Sequence, residues 1–118
     1  MIWAFVLALA FYPGPFGHLA WFALVRPIMI LRRLEGTDAF SAAWFFGFCF
    51  NLFSIYWVAM VTVPGMIAAV TIVGAYYAVI LAMFSRLYRW RPAWGMTALP
   101  FLWTALEYFR TLSEFAFP

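Results

Sequence analysis

The sequence predicts an all-α membrane protein, a bundle of about five transmembrane helices joined by short loops. Three observations lead there. Hydrophobic residues make up 69% of the chain and charged residues only 9%, where a water-soluble domain carries roughly a quarter. Apolar runs long enough to cross a bilayer recur between short polar gaps. The seven basic residues are all arginine, and five of them cluster in alternate gaps, the pattern that the positive-inside rule produces in a multi-span protein. A chain of 118 residues holds one domain of four or five crossings at ~20 residues each.

The elements follow in order. Residues 1–12 read as an apolar helix, short for a full crossing, and with no basic lead-in they do not read as a secretory signal. Pro13-Gly14-Pro15-Phe16-Gly17 breaks it. A second helix is expected over 18–31, followed by the polar loop Arg32-Arg33-Leu34-Glu35-Gly36-Thr37-Asp38. Thr37 or Asp38 suits the cap of a third helix over 39–62. Val63-Pro64-Gly65 reads as a tight turn and 66–85 as the fourth helix. A basic aromatic loop with Arg86, Arg89 and Arg91 then leads to the fifth helix, 94–112, in which Pro100 is expected to kink the axis. With the arginine gaps in the cytoplasm, the turns at Pro13 and Pro64 and the C-terminus fall outside. Trp21, Trp57, Trp90 and Trp94 stand near span ends, where indole rings anchor at the headgroup level.

Small residues mark the expected packing faces. Gly74, Ala78 and Ala82 recur every fourth position, and Ala43 and Gly47 do the same on the third helix. Polar residues inside spans are costly and therefore informative. Asn51 and Ser54 share a face, as an interhelical hydrogen bond or part of a polar cavity. Glu107 and Arg110 lie three apart, as a local ion pair would. Arg26 is expected to snorkel toward the cytoplasmic face. Glu35 and Asp38 read as loop acids, and Glu114 as an exposed one.

Several chemistries are not supported. The net charge of +3 does not indicate nucleic acid, because the arginines sit between apolar runs and not on a solvated stripe. His18 has no second ligand nearby, so no metal site is expected, and no cofactor is implied. Cys49, the single cysteine, lies inside an apolar run. The residues alone predict a polytopic membrane module with its arginines inside, and they leave open a non-catalytic module that binds a separate subunit.

A series of ordered stretches goes further. Ala10-Phe11-Tyr12-Pro13-Gly14-Pro15-Phe16-Gly17 is followed by Leu19-Ala20-Trp21-Phe22-Ala23-Leu24-Val25, then by Ala43-Trp44-Phe45-Phe46-Gly47-Phe48 and Ile55-Tyr56-Trp57-Val58. After a Pro-Gly-Met turn and a basic loop come Leu99-Pro100-Phe101-Leu102-Trp103, Leu106-Glu107-Tyr108-Phe109-Arg110 and finally Phe117-Pro118. Over nearly its whole length the chain resembles the N-terminal transmembrane region of bacterial apolipoprotein N-acyltransferases.

The resemblance implies a multi-pass protein of the bacterial inner membrane. Its implied partners are membrane lipids, a phospholipid acyl donor and a diacylglyceryl lipoprotein whose N-terminal cysteine amine receives the acyl chain. The family's chemistry runs through a cysteine thioester in an outer-facing, nitrilase-like domain with a Glu-Lys-Cys triad. This chain has no lysine, so it holds no catalytic residues of that kind. Cys49 is not the family's nucleophile, since lipid does not solvate a thiolate. The family motif continues Phe-Pro-Trp, the start lacks the usual basic residues, and Arg26 stands where the family is apolar. A fragment of a larger acyltransferase, inactive by itself and lacking the nitrilase-like domain, is therefore expected. By the same resemblance, Tyr56, Trp57, Glu107 and Arg110 are candidates for contact with lipid at the outer face. Gly47, Asn51, Gly74 and Ala78 are candidates for helix packing.

Overall fold

A computed structural model describes residues 1–12 and 14–112. Pro13, Glu114 and the terminal Phe117-Pro118 lie outside the described residues. Within them the chain is all-helical, with no strand: α1 (Ile2–Ala10), α2 (Leu19–Ala23), α3 (Val25–Leu31), α4 (Gly36–Ser54), a 3-10 helix (Tyr56–Met60), α5 (Val63–Trp90) and α6 (Pro92–Leu112).

Prolines decide most of the boundaries. The expected helix over 18–31 is split at Leu24 into α2 and α3. The cause is Pro27, whose ring clashes with the carbonyl four residues back, that of Ala23, where α2 stops. Pro64 and Gly65 do not form a separate turn. They make the first turn of α5, with Thr62 as its cap and the Thr62 hydroxyl accepting from the Gly65 N–H at 3.4 Å. A first-turn N–H has no intrahelical partner, so a proline there loses nothing. At the other end, α5 runs to Trp90 and absorbs most of the expected basic loop. Pro92 forces Arg91 to be extended (φ −148°, ψ 110°) and then opens α6.

Two further expectations are corrected. Neither Thr37 nor Asp38 caps α4. Glu35 holds the cap position without a side-chain bond, and Gly36 takes φ of +49°, a conformation that favours glycine. The third rod does not run unbroken to Thr62, because α4 ends at Ser54. Asn51 donates to the Gly47 carbonyl at 2.7 Å and Ser54 to the Phe50 carbonyl at 2.9 Å. Such back-bonding bends and loosens a helix end, and the chain tightens into the 3-10 segment.

Among the described residues α5 alone is both long and apolar enough to cross a membrane. Its 28 residues give about 42 Å of helix, nearly the 44 Å length of the molecule. By contrast α1 has nine residues, α2 and α3 are interrupted, α4 opens on Gly-Thr-Asp, and α6 carries Glu107 and Arg110.

The packing centres on α5, which lies against α4 on one side and α6 on the other, with α1 beside α4 and α2 beside α1. The α4–α5 seam is built on small residues. A Cβ on Gly47 would come within 2.6 Å of the Tyr77 Cβ, and one on Gly74 within 3.1 Å of the Phe48 N. Ala43 and Ala78 are fully buried in the same seam. Gly95 lets α6 turn back onto α5, where a Cβ would lie 2.5 Å from the Tyr88 Cα. Much of the outer surface is apolar: Trp21, Met60, Val61 and Trp90 are each at least three-quarters exposed.

The C-terminal end of α3 is tied to α5 by a polar clasp that the sequence did not suggest. Ser85, fully buried, donates at 3.0 Å toward both the Leu31 and the Leu34 carbonyls. Arg89 donates to Ser85 at 2.9 Å and to the Leu34 carbonyl, and pairs with Glu35 at 3.7 Å. These bonds add donors where α3 ends, at the Leu34 carbonyl and at the Leu31 carbonyl, which also accepts from the Leu34 N–H at 3.2 Å. Replacing Ser85 by alanine is expected to destabilise the fold by about 0.5–1.5 kcal/mol, the net worth of a hydrogen bond, since the Leu31 carbonyl keeps the Leu34 N–H and the Leu34 carbonyl keeps Arg89. A melting temperature in detergent equal to wild type would show that the clasp contributes nothing.

Candidate functional site

The clasp brings the two basic segments to one end of the molecule. Arg32 and Arg33 follow α3, while Arg86, Arg89 and Arg91 close α5, and Arg26 shares a groove with Arg33. Arg110 stands apart from all of them, in the last turn of α6.

Near the middle of α5, Glu107, Arg110 and Tyr77 form one network. The Tyr77 hydroxyl donates to Glu107 Oε1 at 3.1 Å and accepts from Arg110 Nη1 at 3.1 Å. The same Nη1 lies 3.2 Å from Glu107 Oε2, and the guanidinium carbon is 6.0 Å from the Tyr77 ring centre. The ion pair between Glu107 and Arg110 is therefore present. Tyr77 is fully buried, its ring held edge-on by Phe50 at 5.6 Å and by Trp103 at 5.4 Å. Its ring also rests on Gly47, so the small-residue seam positions the hydroxyl.

The network opens into a cavity of about 350 Å³ whose polar lining is Asn51, Ser54, Tyr77, Glu107 and Arg110. Phe11, Phe50, Ile55 and Trp57 supply its apolar walls. Asn51 and Ser54 thus line a polar cavity and make no interhelical bond among the described residues; their side chains satisfy carbonyls of their own helix.

The four outer-face candidates divide. Trp57, Glu107 and Arg110 border this cavity, whereas Tyr56 borders a separate groove of about 210 Å³ with Phe5, Ala8, Leu9, Tyr12 and Phe53. There the neighbouring Tyr56 hydroxyl pushes the Tyr12 phenol above its ordinary pKa. Of the packing candidates, Gly47, Gly74 and Ala78 lie in the α4–α5 seam, while Ala82 is half-buried and lines a groove near Arg86. Cys49 is buried in the core.

Tyr77 was not singled out in the sequence. Its signal was a phenol in mid-span, because a buried tyrosine hydroxyl needs a partner. The partners lie 30 and 33 residues further along the chain, beyond any local pattern. Chemically the network offers a donor, an acceptor and a paired charge to a polar group lodged between helices.

Comparison with known families agrees with the resemblance in the sequence. No curated protein and no solved structure matches the chain significantly. A family model described as the apolipoprotein N-acyltransferase N-terminal domain matches residues 3–118. With that match covering nearly every residue, the chain belongs to the apolipoprotein N-acyltransferase N-terminal domain family.

Proposed function

We propose that this chain is the membrane-embedded part of an apolipoprotein N-acyltransferase of the bacterial inner membrane, and that it does not catalyse acyl transfer by itself. In this reading it crosses the bilayer as about five rods, α2 and α3 together forming the second, with the arginine end in the cytoplasm. The acyl chain passes from a phospholipid to the N-terminal cysteine amine of a diacylglyceryl lipoprotein. A nitrilase-like domain with a Glu-Lys-Cys triad, on the outer side, performs that step. The Tyr77–Glu107–Arg110 network and Trp57 support the outer entrance beneath it, and Tyr56 contributes to the neighbouring apolar groove.

The observation that carries the reading is the segregation of charge. Six of the seven arginines gather toward one end of the molecule, and Arg110 stands apart from them, bonded to Tyr77 near the middle of α5. That asymmetry is what cytoplasmic retention of basic ends generates. The absence of lysine from the chain supports the lack of independent catalysis.

Expression of residues 1–118 in cells depleted of their native acyltransferase is expected to give no growth rescue, and rescue would overturn the claim of inactivity. In a Cys49→Ala background, the thiol of Trp90→Cys is expected to resist impermeant maleimide until the cytoplasm is opened. Labelling from the periplasmic side of intact cells would overturn the topology.

A further inference from the structure

Arg86 differs from the arginine next to it in the bundle. Arg89 is committed to the Ser85 clasp and to Glu35. Arg86 is exposed and has no hydrogen bond or ion pair among the described residues. It stands at the mouth of two apolar grooves. One, of about 390 Å³, runs between α4 and α5 over Ala39, Phe40, Val79, Ala82 and Met83. The other, of about 570 Å³, follows Met83, Leu87 and Trp90 along α5. Met83 and Arg86, three residues apart, border both, so the Met83 side chain is the ridge between them.

We propose that Arg86 and the two grooves flanking Met83 form a site for an anionic phospholipid of the inner leaflet. The phosphodiester engages the Arg86 guanidinium and one acyl chain enters each groove. The shape calls for one charged head with two apolar tails. The guanidinium offers paired N–H donors that match phosphate oxygens. Charge favours an anionic over a zwitterionic head, because among the described residues the acids in the loop and first turn beside these arginines are Glu35, already paired with Arg89, and Asp38. Basic pockets between helices on the cytoplasmic side are where anionic headgroups are held. The inference rests on the membrane topology proposed above.

The test uses the protein in nanodiscs of phosphatidylcholine containing a minor fraction of phosphatidylglycerol, with retained lipid read by native mass spectrometry. Wild type is expected to retain phosphatidylglycerol in preference. Arg86→Gln is expected to lower that preference about fivefold, the effect of one arginine near the surface. Val79→Trp, which fills a groove without changing charge, is expected to lower it too, and Arg91→Gln to leave it unchanged. Equal retention of both lipids by wild type overturns the site. So does a loss with Arg91→Gln as large as with Arg86→Gln, since that is diffuse attraction, or displacement of the lipid by an equal concentration of inorganic phosphate. The maleimide test separates the two claims. Periplasmic labelling at position 90 sinks the topology, whereas cytoplasmic position without lipid preference sinks this site alone.

Discussion

Gly47→Leu is expected to be the most damaging single substitution in the bundle, lowering stability by about 3 kcal/mol or more. Even the first added carbon has nowhere to go. A Cβ there would lie 2.6 Å from the Tyr77 Cβ and 3.1 Å from the Gly74 carbonyl oxygen. Relief requires α4 and α5 to separate along the seam that holds Ala43 and Ala78, both fully buried. Alanine at the same position is milder, because its better helix propensity returns about 1 kcal/mol. Gly17→Ala is the control, since an added Cβ meets nothing within 4 Å. Thermal unfolding in detergent, followed by tryptophan fluorescence, checks the ranking. A Gly47→Leu protein that melts with wild type would show that the seam is looser than described. Because the Gly47 face also carries the Tyr77 ring, the variant is expected to disturb the Glu107 network as well.

The second large effect concerns that network. Glu107→Ala leaves a guanidinium and a buried phenol without their shared acceptor, at a cost of about 1–3 kcal/mol. Arg110→Ala leaves the carboxylate beside Tyr77 without its cation and costs a similar amount. The two changes together are expected to cost less than their sum, with a coupling of about 0.5–3 kcal/mol between contacting groups. Tyr77→Phe is expected to be gentler, since the 3.2 Å ion pair survives it. In an intact acyltransferase carrying these residues, the single substitutions are expected to slow N-acylation, read as the mass of a reporter lipoprotein. Strict additivity in the melting cycle would mean that Glu107 and Arg110 do not act as a unit.

How far each element could be read depended on whether its cause was local. The i, i+3 pair of Glu107 and Arg110 was visible because both partners sit on one helix face. The small-residue rows on α4 and α5 were visible because their period is helical. Proline was harder. Pro64 reads as a breaker, yet at a first turn the same missing N–H is harmless. Pro27 was read as part of a continuous helix, yet it acts on Ala23 four residues earlier and splits the rod. Arg86 and Arg89 read as loop residues because charge suggests solvent. Arginine is also a good helix former, and the helix continues until Pro92 ends it.

Composition alone settled that the chain is helical and rich in apolar surface, and the order of its motifs identified the family. Those properties follow from side-chain chemistry and from periods of a few residues, which the chain carries in its linear order. Only the tertiary structure could join Tyr77 to Glu107 and Arg110, set Ser85 and Arg89 against the Leu31 and Leu34 carbonyls, and leave Arg86 free at the mouth of two grooves. Each of these depends on which helix faces which, and on how closely glycines let the backbones approach, so the groups involved meet across 30 to 55 residues of chain.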